Sequence, residues 1–250
     1  MSEQIRAVVL AAGKGTRLRT EGVELPKVMR QALGKPLISY VLNALPVEEK
    51  KDVIIVVGYM REKVTDAFPD YTFAVQREQL GTGHAVMSAG DALSGFSGHV
   101  LVCCGDMPLV RAETYRALWE EHLRAGNDCT LLSGTSREPL PYGRVLRDEN
   151  SGFLRIVEER DCSPQELEIR ELNSGIYIFR TPKLLSALTE LRTDNAQGEY
   201  YLTDAPAIML RRGDRVGVCV REMGSELIGV NTVEQLAMVE DILRSWNHGS

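Results

Sequence analysis

The 250-residue sequence lacks any apolar run long enough to cross a bilayer, and it lacks a leader with a charged start and an apolar middle. Both absences argue against a membrane or secreted protein, so we expect a soluble protein of the cytoplasm. The sequence also lacks internal repeats, low-complexity segments and an obvious linker. Because 44% of the residues are hydrophobic, one large domain or two closely joined domains would fit.

Positive charge is not in excess, because the formal net charge at pH 7 is −6. A general nucleic-acid-binding protein usually carries a basic face, so we expect no nucleic-acid partner, while a local basic pocket for phosphates stays compatible with this charge. The five cysteines are an odd number, and none forms a Cys-x-x-Cys pair. We therefore expect small buried thiols, with neither disulfides nor a zinc site.

What the sequence does contain is an alternation of strand-like and helix-like segments. Continuous apolar runs, typical of strands covered on both faces, alternate with segments that carry apolar residues at helical spacing. The predicted strands are residues 6–10, 52–58, 99–104, 128–132 and 216–220, and the predicted helices are residues 36–45, 114–125, 184–191, 201–211 and 233–246. This order predicts an α/β fold with a Rossmann-like, mainly parallel sheet flanked by helices.

The alternation changes after Pro141. Residues 143–147 and 153–158 are predicted to pair across a turn at residues 148–152, and residues 172–179 follow as a third strand. We expect these three segments to form a small antiparallel patch added to one end of the sheet.

A glycine-rich, cationic loop follows the first predicted strand in the stretch LAAGKGTRL. Gly13 and Gly15 allow the backbone to turn tightly, so that amide hydrogens can face an anion. Lys14, Arg17 and, further along, Lys27 in PKV would add positive charge around that anion. The loop matches neither a P-loop nor the dinucleotide fingerprint, which would need a third glycine at position 18. An ordinary strand-to-helix turn with solvated charges is the alternative.

The segment QREQLGTGHAV places two glycines around Thr82. These glycines let the backbone lie close to a flat group, and Gln76 and Gln79 can read an amide-like edge with paired donor and acceptor groups. His84 is a candidate base, but a lone histidine beside a helix start is more often a packed or capping group.

A lone carboxylate, Asp106, follows another predicted strand in CCGDMPL. It is a natural ligand for a magnesium ion that keeps water and phosphate oxygens as its other ligands. Ligands of open α/β sheets bind beyond the carboxyl ends of parallel strands, so Asp106 and the glycine-rich loop belong at the same rim. The sequence has no convincing Ser-His-Asp or Cys-His set.

Nine motifs occur in one characteristic order, namely LAAGKGTR, PKV, Q-x-x-QLGTGHA, GD-x-PL, YGR, IVEE-x-D, LNSGIY, NAQGEYYLTD and GVN. On these motifs the chain resembles the pyrophosphorylase half of the bacterial N-acetylglucosamine-1-phosphate uridylyltransferases, within the wider sugar-nucleotide transferase superfamily. The resemblance covers nearly the whole chain. One such motif would be weak support, whereas nine in order are strong support.

The resemblance implies a role for each segment. The implied nucleotide-binding residues are Leu10, Ala11, Ala12, Gly13, Gln76, Gln79, Gly81 and Thr82. The implied catalytic residues are Arg17, Lys27 and Asp106, of which the two cations would hold the triphosphate. The implied magnesium ligands are Asp106 and Asn231, and the implied sugar-binding residues are Gly143, Glu158, Asn173 and Asn231. We expect Tyr200, Tyr201 and Asp204 of NAQGEYYLTD only to pack and cap a helix start.

The reaction that the resemblance implies joins UTP to N-acetylglucosamine 1-phosphate and releases pyrophosphate. A sugar 1-phosphate is already mostly dianionic at neutral pH, because the second pKa of a phosphate ester is about 6. It can therefore attack without a general base, and Glu158 would bind sugar hydroxyls and relay no proton. The alternatives are another sugar 1-phosphate or nucleotide, or a non-catalytic nucleotide-sugar sensor on the same fold.

The sequence departs from the family's pattern in three places. The stretch between Arg17 and Lys27 is longer than expected, which would change the cover over the triphosphate. Cys104 stands where the family usually has a tyrosine near the sugar. The hexapeptide repeats of the β-helix acetyltransferase domain are absent, so we expect a single pyrophosphorylase domain over residues 1–250.

Overall fold

The computed structural model describes residues 3–15, 18, 24–136 and 140–248. The strands are β1 Ile5–Leu10, β2 Gln31–Ala32, β3 Lys35–Pro36, β4 Val53–Val57, β5 Thr72–Val75, β6 His99–Cys104, β7 Cys129–Thr135, β8 Arg144–Arg147, β9 Phe153–Val157, β10 Glu171–Arg180 and β11 Val216–Arg221. The α-helices are α1 Leu37–Ala44, α2 Arg61–Thr65, α3 Thr82–Ser88, α4 Gly90–Leu93, α5 Ala112–Ala125, α6 Pro164–Leu167, α7 Thr181–Leu188, α8 Ala205–Arg211 and α9 Val233–His248. None of the described helices is long and apolar enough to cross a membrane.

The central sheet has the strand order β11-β7-β10-β6-β1-β4-β5. Strands β6, β1, β4 and β5 are parallel to one another, and β11 is parallel to β7. Strand β10 runs antiparallel to both of its neighbours, β6 and β7. The predicted α/β fold with a mainly parallel sheet is confirmed.

Alternate side chains of the buried strands fill two separate cores. In β1, Val8 packs on one face with α3, α7 and α8, while Ala7 and Val9 pack on the other face with α1 and α5. This division follows from the period of two in a strand, and it explains why β1 and β4 have continuous apolar sequences. A smaller cluster joins α9 to Ala32 and Leu109, next to the carboxyl ends of the strands.

The antiparallel patch differs from the prediction in its position. Strands β8 and β9 pair with each other, and β8 joins β10 through Leu172 and Arg144. However, β10 continues into the middle of the main sheet, so the patch does not lie at one end of it. The residues of β10 are mostly buried on both faces, which suits a central strand and not an added edge.

Candidate active site

The motifs LAAGKGTR and GD-x-PL meet at the carboxyl rim of the sheet, as predicted. The amide of Gly105, just after β6, donates a hydrogen bond of 2.9 Å to the carbonyl of Leu10 at the end of β1. A Cβ atom on Gly105 would lie 3.1 Å from Cγ1 of Val28. The glycine therefore allows the segment that contains PKV to pack closely against the strand ends.

Gly15 brings Lys27 to the glycine-rich loop. Its φ of +59° lies in the left-handed region, and a Cβ atom there would lie only 2.6 Å from Cβ of Lys27. Only glycine combines this backbone conformation with so close an approach. Arg17 lies outside the described residues, so its role at the triphosphate stays a prediction.

Lys27, Asp106 and Asn231 converge on one point, although they are far apart in the sequence. The Lys27 ammonium forms an ion pair with Oδ2 of Asp106 and donates a hydrogen bond of 2.6 Å to Oδ1 of Asn231. The Lys27 and Asp106 side chains are only 14% and 19% exposed. The two predicted magnesium ligands thus direct oxygen atoms to a position that already attracts a cation.

This donor set fits magnesium. Carboxylate and amide oxygens are the ligands that Mg²⁺ prefers, and the ion usually keeps water and phosphate oxygens besides one or two protein ligands. Among the described residues, no cluster of three or more His, Cys, Asp or Glu side chains is suited to hold a metal ion. A site of this kind would therefore depend on substrate phosphates to complete its coordination.

Tyr142 braces the loop that carries Asn231. Its hydroxyl donates to the carbonyl of Leu227 at 2.5 Å and accepts a hydrogen bond of 3.0 Å from the amide of Gly229. The amide of Val230 in turn donates to the carbonyl of Asp106 at 2.9 Å. Sequence reasoning missed Tyr142, and the available signal was its place in YGR, from which only the glycine was selected.

A pocket of about 230 Å³ lies beside the glycine-rich loop. Its lining residues are Leu10, Ala12, Gly13, Gln76, Gln79, Gly81, Thr82, Ala85 and Glu199. The pocket thus unites all the predicted nucleotide-binding residues except Ala11. Ala11 belongs to the core on the opposite face of the sheet, and its amide donates to the carbonyl of Val56.

Residues 80–83, which include the GTG segment, are attached to the NAQGEYYLTD segment by three hydrogen bonds. The Gly83 amide donates to the Tyr200 carbonyl at 2.7 Å, the Tyr200 amide donates to the Leu80 carbonyl at 2.8 Å, and the Leu202 amide donates to the Thr82 hydroxyl at 3.0 Å. These bonds bring Glu199 to the pocket, a residue that sequence reasoning missed. Asp204, predicted as a cap, immediately precedes α8 but makes no side-chain capping bond there.

Both predicted glutamines use their amide nitrogens to hold the pocket wall. Nε2 of Gln79 donates to the carbonyl of Ala12 at 2.6 Å, and Nε2 of Gln76 donates to the carbonyl of Gly81 at 3.1 Å. Gln76 is 94% buried, since only 6% of it is exposed. Its orientation is therefore set by the protein before any ligand arrives.

Lys14 lies near the glutamines of the 230 Å³ pocket, and its role beside the phosphates stays a prediction. It is exposed and lines a second pocket of about 530 Å³, together with residues of the loops after β4 and β5. Gln76 and Gln79 line both pockets, so the two adjoin. The described contacts of Lys27 do not include Lys14.

Three of the four predicted sugar-binding residues come together where β8, β9 and β10 meet. The Asn173 amide donates to the Gly143 carbonyl at 2.8 Å, and a Cβ atom on Gly143 would lie 3.6 Å from Oε2 of Glu158. Oδ1 of Asn173 accepts a hydrogen bond of 3.0 Å from the hydroxyl of Tyr177. The fourth, Asn231, lies with Lys27 and Asp106, and we call these three residues the cation site.

Glu158 is a carboxyl group with restricted solvation. Burial raises its pKa above the ordinary value, and the nearby Asp204 and Asp161 act in the same direction. The hydroxyl of Thr203 donates a hydrogen bond of 2.9 Å to Oε1 and opposes this rise in pKa. Oε2 remains directed toward Gly143, which suits a hydroxyl-binding group.

Cys104 links the cation site to the sugar-binding residues. A Cβ atom on Gly175, within the irregular part of β10, would lie 3.8 Å from its Sγ atom. Burial raises the pKa of the Cys104 thiol, and the charge of the neighbouring Asp106 raises it further. Cys104 is therefore a neutral thiol. All five cysteines are free; Cys103 and Cys129 are buried as predicted, whereas Cys104, Cys162 and Cys219 are partly exposed.

The fold and the site together define an α/β domain with a cation site and an adjoining pocket at the carboxyl rim of its sheet. More particularly, the chain belongs to the family of MobA-like NTP transferase domains, whose sequence profile matches residues 7–199.

The curated relatives are consistent with this assignment. The chain is 46% identical over 241 residues to the bifunctional protein GlmU of Pelotomaculum thermopropionicum, which covers 96% of the chain and 52% of that protein. It is 44% identical to GlmU of Caldanaerobacter subterraneus over 97% of the chain and 52% of the relative, and 41% identical to GlmU of Clostridium perfringens over 96% and 52%. The chain thus spans about half the length of these relatives. The resemblance inferred from the ordered motifs is confirmed.

Proposed function

We propose that this chain is a nucleotidylyltransferase of the cytoplasm that forms UDP-N-acetylglucosamine and pyrophosphate from UTP and N-acetylglucosamine 1-phosphate. The observation that carries the proposal is the convergence of Lys27, Asp106 and Asn231 beside the glycine-rich loop. The likeness to the proteins named GlmU supports the same assignment.

The base and the sugar would bind on two sides of this cation site. Leu10 and Gly13 line the 230 Å³ pocket, and the following Gly15 packs against Lys27. Cys104 lies between Asp106 and the β10 segment that contains Asn173. A nucleotide that extends from the pocket therefore carries its phosphates toward Lys27, and the acceptor sugar lies beyond.

The proposed chemistry is an in-line displacement at the α-phosphorus of UTP. An oxygen of the sugar 1-phosphate forms a bond to this phosphorus, and the bond to the β-phosphate oxygen breaks as pyrophosphate leaves with the electron pair. No proton has to be removed, because the attacking phosphate is already mostly ionised at neutral pH.

The protein's contribution is position and positive charge. Lys27 offsets the charge of the phosphates, and the glycine-rich backbone allows their close approach. Asp106 and Asn231 would hold a magnesium ion, which when bound supplies Lewis-acid stabilisation of the phosphate oxygens. Glu158 and Asn173 orient the acceptor through hydrogen bonds.

The test is pyrophosphate release by purified protein with magnesium, across a grid of nucleoside triphosphates and sugar 1-phosphates. Release with UTP and N-acetylglucosamine 1-phosphate alone is expected. Release with another sugar would retain the reaction and assign a different acceptor, with Cys104 as the first residue to examine. No release in any combination, from protein that still binds UTP, would favour the non-catalytic sensor.

An inactive reference should accompany the grid. Asp106→Ala removes a predicted metal ligand, so the transition state should lose several kcal/mol of stabilisation. We therefore expect kcat/KM to fall roughly a hundredfold or more. Asp106→Asn keeps the shape of the side chain and loses its charge, so its kcat/KM should lie between the values of Asp106→Ala and wild type. A rate near that of wild type for Asp106→Ala would exclude this residue as a metal ligand.

A further inference from the structure

The orientation of the Gln76 side-chain amide is fixed by a backbone carbonyl, which can only accept a hydrogen bond. Its Nε2 atom lies 3.1 Å from the carbonyl oxygen of Gly81. A carbonyl has no proton to donate, so the nitrogen and not the oxygen of the amide must face it. This contact removes the usual ambiguity between the two ends of a glutamine amide.

The second N–H group of the same amide donates a hydrogen bond to His84. Nδ1 of His84 lies 3.2 Å from Nε2 of Gln76. An amide nitrogen donates and does not accept, so Nδ1 must be the acceptor and the ring proton lies on Nε2 of His84. Both N–H groups of Gln76 are therefore used within the protein.

The oxygen of the Gln76 amide is consequently the atom left for a ligand. Within the described part of the chain, Oε1 has no hydrogen-bond partner, and it is not among the fully enclosed polar atoms that lack one. Gln76 lines the 230 Å³ pocket. Because Gln76 also lines the adjoining 530 Å³ pocket, a ligand that approaches this amide from either pocket meets an acceptor and no free donor.

We propose that His84 is a positioning residue that makes this pocket selective for uracil over cytosine, by holding the Gln76 amide with its oxygen toward the base. The proposal rests on the nucleotide site of the proposed function. Uracil carries a hydrogen on N3, which can donate to Oε1. Cytosine carries a lone pair at N3, which would face the lone pairs of Oε1 and leave both groups unpaired.

The backbone around His84 explains why it can act in this way. His84 lies in the first turn of α3, and the adjacent Gly83 amide is fixed by the carbonyl of Tyr200. The imidazole is half-buried and lies beside the Tyr200 ring, with ring centroids 6.4 Å apart. The ring does not line the pocket, so it acts on the base through Gln76.

Two amide substitutions test the inference, because they differ in where they place an acceptor. The side-chain amide of His84→Asn reaches the position of Nδ1 and can accept from Gln76, whereas the amide of His84→Gln reaches the position of Nε2. We expect His84→Asn to keep the preference for UTP over CTP. We expect His84→Gln and His84→Leu to reduce it about tenfold or more, as the Gln76 amide becomes free to turn.

The measurement is the ratio of the dissociation constants of UTP and CTP by calorimetry with magnesium, together with the melting temperature of each variant. The Asn and Gln variants are both polar, so a comparison of their UTP-to-CTP ratios still decides the question if His84→Leu does not fold. Equal ratios for Asn and Gln would overturn the inference, as would a wild-type protein that binds UTP and CTP equally or binds neither. Selective UTP binding without pyrophosphate release would overturn only the proposed function.

Discussion

Lys27 is held by contacts with three parts of the chain. Gly15 leaves room for its side chain, Asp106 supplies the opposite charge, and Asn231 accepts a hydrogen bond. Because Lys27 and Asp106 are mostly shielded from water, their attraction is screened less than that of a surface pair. We expect the ammonium to exchange these partners for phosphate oxygens when a nucleotide binds.

Replacing Lys27 with alanine is therefore expected to lower kcat/KM for UTP by roughly tenfold to a hundredfold, since a positive charge next to the phosphates is lost. Steady-state pyrophosphate release measures this effect, and thermal unfolding checks that the variant is folded. Lys35→Ala, which removes an exposed lysine on β3, is the charge-matched control. Equal kinetics for the two variants would mean that Lys27 makes a structural contact only.

The motif order predicted which residues would meet, but not what holds them in place. Asp106 and Asn231 were selected from separate motifs, and the structure brings both to Lys27. Tyr142 and Glu199 were missed because their roles depend on loops that approach from distant parts of the chain. Neither periodicity nor residue type reports a hydrogen bond between a tyrosine and a backbone 85 residues away.

At the scale of elements, the site is built from loops that are tied to one another. Arg144, at the start of β8, donates to the carbonyls of Leu140 and Tyr142, and Tyr142 in turn ties the loop before Asn231. The strands position the loop ends, and these side chains set the geometry between them. Loop sequences alone could not predict these contacts, because each depends on the strand order first being correct.

Tyr142→Phe tests whether the Tyr142 hydroxyl positions the Asn231 loop for magnesium or only stabilises the fold. Loss of the hydroxyl removes two hydrogen bonds, so the free energy of unfolding should fall by about 1 to 3 kcal/mol. Because the Asn231 loop is then less restrained, the magnesium concentration for half-maximal activity should rise severalfold. Magnesium titrations and urea unfolding measure the two effects. An unchanged magnesium requirement with reduced stability would assign Tyr142 a structural role only.

Gly81→Ala tests the close contact between the GTG segment and residues 199–202. The φ of Gly81 is +106°, and an added Cβ atom would lie 2.6 Å from the carbonyl oxygen of Tyr200. We expect UTP affinity to fall tenfold or more, because the backbone must move where it lines the pocket. Gly95→Ala is the matched control, since Gly95 also has a positive φ but has no neighbouring atom within 4 Å of the added Cβ.

If Gly81→Ala binds UTP as tightly as Gly95→Ala and wild type do, the close contact with Tyr200 does not shape the pocket. Circular dichroism spectra that match wild type should accompany the binding data, because Gly81 lies at the start of α3.

At the scale of the whole molecule, the two ends of the sheet have different chemistry. The carboxyl rim carries the cation site, while the opposite end of β6 begins with His99. Nδ1 of His99 lies 2.9 Å from Nε2 of His122, whose Nδ1 lies 2.8 Å from the hydroxyl of Thr130. Both histidines are only 1% exposed. Neither was selected from the sequence, because buried histidines on separate elements have no local signature.

The buried histidines are expected to make the fold sensitive to mild acid. Burial lowers the pKa of both, and burial with the neighbouring His99 lowers the pKa of His122 to about 3. In the unfolded chain each histidine has a pKa of about 6.5. As the pH falls below that value, the unfolded state gains protons that folded His122 does not bind, so stability decreases from about pH 6.5 downward.

For His122 the slope should approach about 1.4 kcal/mol per pH unit as the pH falls from 6.5 toward 5, where most carboxylates remain ionised. The lowered pKa of His99 adds to the slope in the same direction. Urea unfolding at several pH values measures it. His122→Leu should give a shallower dependence whatever its stability at pH 7.5, since one proton-binding group is removed from the unfolded chain. Identical slopes for wild type and His122→Leu would show that folded His122 binds a proton as readily as the unfolded chain, and that the buried pair tolerates a charge.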